Sequence, residues 1–85
     1  MPPEIPARPT LFAGMAVALA EAAAAGGRGE VPVGAAVFGP EGTELARAGN
    51  RTEAWCDASA HAELLALRAA ARRLGTPRLF GCDVV

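Results

Sequence analysis

From residue 11 onward, apolar positions recur first at helical and then at strand spacing. Leu11, Met15, Ala18, Leu19 and Ala22 fall on one side of a helix predicted over 11–25, with Thr10 as its N-cap and Gly26 and Gly27 ending it. "VPVGAAVFG" at 31–39 is a continuous apolar run of strand length, with Pro32 near its start where a missing N–H is tolerated. "PEGTE" at 40–44 reads as a turn, and "LARAGN" at 45–50 as a second strand antiparallel to the first. A polar loop, "NRTEAWCDASA", fills 50–60.

A second helix is predicted from about Ala60 to Leu74, capped by Ser59 or by Asp57, which otherwise orders the loop, and stopped at Gly75 with Pro77 just beyond. Leu64, Leu67, Ala71 and Leu74 make its apolar face, and Arg68, Arg72 and Arg73 lie off it. "LFGCDVV" at 79–85 opens a third strand that reads as an unprotected edge. Residues 1–9, punctuated by proline, are expected to form a flexible arm, and 10–85 the folded part. Helix, strand, strand, helix, strand in that order points to a layered α/β sheet.

Composition qualifies this picture. The apolar fraction of 52% is inflated by alanine, and Phe12, Phe38, Trp55 and Phe80 are the only aromatics in 85 residues. A thin core and marginal folding follow. The formal net charge of −1 gives no global argument for a polyanion partner. Arg51 and the arginines of the second helix either meet phosphates or form a solvated face. The alanine-rich run after Thr10 is too short to span a bilayer and contains Glu21. Cys56 and Cys82 are not closely spaced and no secretory signal precedes them, so a cytoplasmic protein with reduced thiols is expected, away from membranes.

The single histidine, His61, stands two residues before Glu63 at the mouth of the second helix. Alone, H-x-E carries little information. The imidazole can simply hydrogen-bond at the helix end, where the carboxylate favours the positive pole of the dipole. Residues two apart diverge by about 200° around an α-helix. They address one site only where the backbone has just left the loop.

The company of His61 is more specific. "EVPVGAAV" at 30–37, "GNR" at 49–51, "DASAHAELLALRAAARRLG" at 57–75 and "RLFGCDVV" at 78–85 occur in that order. Together they resemble the zinc-dependent nucleoside and nucleobase deaminases, most closely the bacterial tRNA adenosine deaminases. Those carry a stretch like E-V-P-V-G-A, an asparagine before the loop, and D-P-T-A-H-A-E at the helix start. The resemblance covers about residues 10–85 and implies an incomplete three-layer αβα sandwich of cytidine deaminase type.

It further implies His61 as a zinc ligand and Glu63 as the proton shuttle, a general signature of zinc deaminases. Asn50 either hydrogen-bonds the substrate, as the family asparagine does, or forms a turn. Pro32, Val33 and Gly34 line a base pocket, or simply a buried strand, and small Ala62 lets the base approach the helix end. Ala58 and Ser59 replace the family's proline and threonine.

One departure matters more. The P-C-x-x-C that follows H-x-E in these enzymes is absent. A catalytic zinc needs three protein ligands plus water. The expectation is a chain that stops before its two cysteine ligands and is inactive alone. Cys56 and Cys82 either join His61 in a substitute site or are an exposed loop thiol and a buried strand thiol.

For the complete enzyme the resemblance implies conversion of adenosine to inosine at the wobble position of tRNA, contact with the anticodon loop, and a homodimer. Two alternatives stand: a deaminase of a free nucleobase or nucleoside of guanine or cytosine type, and a non-catalytic fragment or partner of a complete deaminase.

Overall fold

The computed structural model describes residues 9–85. The expected arm lies outside the described residues, save Pro9, which opens α1 (Pro9–Gly27). It is followed by β1 (Gly34–Phe38), β2 (Glu44–Gly49), α2 (Ala62–Leu74) and β3 (Asp83–Val84). The sheet order is β2-β1-β3, and both neighbours of β1 run antiparallel to it.

The two helices cover opposite faces of the sheet, because successive residues of a strand point to opposite sides. Ala35 and Val37 pack with Ala62, Ala66 and Ala70 of α2. Gly34, Phe38 and, across the ladder, Gly49 meet α1. This is the three-layer αβα arrangement expected.

The expected helix faces need correction. On α1, Gly14, Ala18 and Ala25 are buried, whereas Met15 and Leu19 are 53% and 62% exposed. On α2 the buried stripe is Ala62, Ala66 and Ala70, and Leu64 and Leu74 are largely outside it. The sheet is the cause. A Cβ on Gly34 would run into the Ala18 carbonyl oxygen and stand 2.6 Å from the Ala22 amide nitrogen. At Gly34, α1 therefore lies backbone against backbone on β1 and leaves no room for a side chain, while further along the Phe38 ring packs against Gly14. The core is thin, as expected, and among the described residues its largest fully buried side chain is Val37.

Element ends also moved. α1 runs through Gly26 and Gly27, and the chain turns after them as the amides of Arg28 and Glu30 donate to the Ala25 carbonyl. Thr10 lies within the helix rather than before it. α2 starts at Ala62, and Gly75 ends it in the left-handed region, at φ 72°, as glycine at that position does. The hairpin is irregular: Val37 pairs with Ala46 but Phe38 with Glu44. Leu45 is the extra residue. The Arg73 side chain donates to the carbonyls of Glu44 and Leu45 at 2.7 and 3.3 Å, fastening α2 to the bulge. β3 is only two residues long, with Val85 and Ala36 exchanging backbone hydrogen bonds beside it. No helix among the described residues is long and apolar enough to cross a membrane.

Candidate active site

The residues singled out in the sequence lie in three segments, and hydrogen bonds join them at one end of the sheet. The Asn50 amide donates to the Val33 carbonyl at 3.1 Å, which holds the end of β2 beside the entry to β1. The Asn50 side chain, 3% exposed, then crosses to the second helix, where its Oδ1 accepts from the Ala62 amide at 2.8 Å. The Arg51 amide donates to the Ala60 carbonyl at 2.9 Å. A first-turn N–H of a helix needs an acceptor from outside the helix. Here a residue twelve positions earlier supplies it.

Neither Asp57 nor Ser59 caps α2, contrary to the sequence expectation. The cap position is His61, in extended conformation at φ −79° and ψ 147°, and its side chain makes no capping bond. Asp57 instead orders the loop: its Oδ1 accepts from the amide and the hydroxyl of Ser59 at 2.8 and 2.7 Å. Those bonds, the hydroxyl's first, hold the Asp57 carboxyl below its ordinary value. The cap role left open by Asp57 is taken by Asn50, which frees the His61 imidazole from duty to the helix. His61 and Glu63 are both exposed, on either side of buried Ala62. Pro32 and Val33 are exposed at the same end and Gly34 is half-buried. Gly34 has a packing reason to be glycine, the contact with α1.

Sequence reasoning missed Glu30 and Arg28, which sit in what reads as a flexible "GGRGE" turn. Glu30 is 6% exposed. Its carboxylate accepts the amides of Glu53 and Ala54 at 2.9 and 2.8 Å, with the Thr52 hydroxyl at 3.5 Å. Arg28 donates to the Asn50 carbonyl at 3.2 Å. The Glu53 amide above all, opposed by burial and aided by Ala54, Thr52 and the Arg28 charge, holds the Glu30 carboxyl below the usual range. The available signal was an acid directly ahead of an apolar strand, in a segment with no helix to favour it.

The residues present do not complete a zinc site. Among the described residues, no three His, Cys, Asp or Glu side chains gather where a metal ion could be held. Cys56 is an exposed loop residue with its thiol toward the Glu53 carbonyl at 3.9 Å. Cys82 is half-buried, against the Phe80 carbonyl at 3.8 Å. The substitute Cys, His, Cys site is therefore not formed, and one imidazole falls short of the three protein ligands a catalytic zinc takes.

Residues 10–85 match the family model of the cytidine and deoxycytidylate deaminase zinc-binding region. The chain is 49% identical over 70 residues to the tRNA-specific adenosine deaminase of Agrobacterium fabrum, covering 82% of this chain and 45% of that protein. It is 48% identical over 81 residues to the tRNA(Ile)-lysidine synthase of Deinococcus radiodurans, covering 95% of this chain and 14% of that one. A solved structure from a study of A-to-I editing by tRNA:A34 deaminases at the wobble position of transfer RNA superposes with a TM-score of 0.82. It shares 44% identity and covers 87% of this chain and 56% of that one. The chain thus spans about half or less of the length of each of these proteins.

Proposed function

Because the chain belongs to the cytidine and deoxycytidylate deaminase zinc-binding family, we propose that it carries the base-binding and proton-handling part of a deaminase that converts adenosine to inosine at the wobble position of tRNA. The observation that carries this reading is the Asn50 bridge. It brings Val33, Asn50 and the start of α2 to one place through hydrogen bonds of 3.1 and 2.8 Å. The names of the relatives at 48% and 49% identity support tRNA as the substrate class.

Hydrolytic deamination exchanges the exocyclic amine of the base for oxygen, consuming water and releasing ammonia. Its barrier is one of proton movement as well as attack. A carboxylate beside the reacting carbon takes a proton from water and passes it to the ring nitrogen and then to the departing amine. Glu63 is our candidate: it is exposed in the first turn of α2, beside buried Ala62. Asn50 spends Oδ1 on the helix, and its Nδ2 has no partner among the described residues, so the amide donor is available to the substrate. Val33 and Pro32 supply an apolar wall, and small Ala62 leaves room for the base. We assign His61 as one zinc ligand. Since the set is incomplete, no step is derived through the metal.

The 85-residue chain alone is therefore expected to be inactive and to bind less than one zinc in ten chains, as metal analysis would read. Inosine formation in a tRNA anticodon stem-loop, lost in Glu63→Ala, would overturn the inactivity. Deamination of free guanine or cytosine by the chain, with the stem-loop untouched, would move the reading to the nucleobase alternative. The reading includes a cytoplasmic location, where tRNA is used, and self-association. Phe12 and Leu19 of α1, 85% and 62% exposed, offer apolar surface for that. A sedimentation profile of a monomer at every concentration would contradict it.

A further inference from the structure

Positive charge is not spread evenly over this chain. Its formal net charge is −1, yet four arginines converge on one open groove of about 570 Å³ at the outer edge of β2, between α1 and α2. Arg47, Arg51, Arg68 and Arg72 line it, and Glu21 is the one acidic residue among the lining groups. Arg47 is committed: its guanidinium holds Glu44 in a two-pronged pair of 2.6 and 2.9 Å. Arg51, Arg68 and Arg72 have no side-chain hydrogen bond or ion pair with any described residue, although Asp57 lies close enough to feel the charge of Arg68. Arg68 and Arg72 are one helical turn apart on α2, a spacing that aligns their side chains.

Trp55 shares the groove and is 56% exposed. Its amide donates to the Arg51 carbonyl at 3.0 Å, closing a turn that keeps indole and guanidinium on one short piece of loop. That loop is pinned by Glu30 and continues into Asn50 on one side and Ala60 on the other, so the groove borders the candidate active site. An exposed indole thus stands among guanidinium groups that hold no hydrogen bond to a described residue. Such a surface suits a ligand that offers both a flat face and regularly spaced negative charge. Single-stranded nucleic acid has both: bases stack on aromatic rings while phosphates meet arginines. An enclosed pocket for a small anion would bury its cations, and this one is open.

We propose that this groove binds a single-stranded stretch of the RNA substrate, with Trp55 stacking on a base and Arg51, Arg68 and Arg72 holding phosphates. The inference rests on the reading of tRNA as substrate and adds a second binding surface beside the base pocket. It needs no metal and no turnover.

The test is a titration of the 85-residue chain with a labelled tRNA anticodon stem-loop, read by anisotropy and by the fluorescence of Trp55, the single tryptophan. RNA is expected to quench the indole at saturation. Arg68→Gln with Arg72→Gln is expected to weaken binding at least tenfold at low salt. It should also flatten the slope of log K against log salt by about 1.4, two single-strand phosphate contacts. The double lysine variant at the same positions should retain most of the affinity. Trp55→Ala should weaken binding at least fivefold and Trp55→Phe much less, and Arg78→Gln, outside the groove, should have no effect. Amide spectra of each variant establish that the fold is intact.

Wild-type binding that ignores these arginines and leaves the indole unquenched sinks the groove and leaves the tRNA reading standing. No binding of the stem-loop at any salt sinks both. Equal competition by polyglutamate would mark the groove as a site for acidic protein and overturn the proposal.

Discussion

Between the middle of α1 and the sheet, around Gly34, contact is made by groups with almost no side chain. Between the start of α2 and the rest of the molecule, it is made by polar groups reaching across the chain. At the first place Gly34 and Ala18 bring two backbones together and exclude volume. At the second, Asn50, Glu30 and Arg28 satisfy amides and carbonyls that the loop cannot satisfy for itself. The first interface is steric and intolerant of size. The second is electrostatic, tolerant of size and intolerant of a lost partner. The candidate site lies on the second, so its geometry is set by a handful of hydrogen bonds rather than by the core.

Adding volume at the steric interface should have the largest effect. Gly34→Val places methyl groups where the Ala18 carbonyl already stands. Backbone cannot yield as a flexible side chain can, and overpacking of this kind costs about 3 kcal/mol or more. In a thin core that removes the folded population, seen as loss of dispersion in the amide spectrum. A folded Gly34→Val chain would show that α1 does not sit on β1 as described.

Removing a partner at the polar interface should come next. Asn50→Ala leaves the buried Ala62 amide without an acceptor, at about 1–3 kcal/mol. The denaturant midpoint should fall accordingly, with the first turn of α2 fraying before the rest. An unchanged midpoint would mean that the bridge carries no load.

The smallest effect is local and follows pH. The Glu30 carboxyl is held below its ordinary value, chiefly by the Glu53 amide and against the push of burial. A carboxyl whose folded pKa is depressed adds stability that is fully present above its unfolded value, near 4.3. That stability is lost as pH falls through the lower folded value. Acidification through this window should release the Glu53 and Ala54 amides to exchange while the β1 amides hold. Glu30→Gln should exchange at these two amides with no such pH step. Release of all the amides together would place Glu30 in the core rather than at the loop.

What the sequence made legible divides along the same line. Element order, the hairpin, the stop at Gly75 and the αβα layering follow from periodicity, turn chemistry and the resemblance, all local or linear signals. The faces of both helices were misread because periodicity weighs leucine above alanine. The sheet presents glycine and alanine, and a close approach reverses that weighting. The N-cap of α2 was assigned to the nearest polar residues, Asp57 or Ser59, whereas the acceptor came from Asn50, just past the end of β2. Glu30 opens the family-like stretch at 30–37, but its role was not legible for the same reason: its partners lie more than twenty residues away. Val33, Asn50 and Ala62 were singled out because the motifs around them resemble a known pattern, and hydrogen bonds join these three residues.

The central claim is that this frame forms from the chain itself, ahead of any metal. Hydrogen exchange at the Ala62 amide, in the wild-type chain treated with chelator, tests it directly. The Ala62 amide is expected to exchange within about tenfold of the amides of β1, since both are released by the same opening. An Ala62 amide that exchanges as fast as an unstructured peptide while β1 stays protected would contradict it.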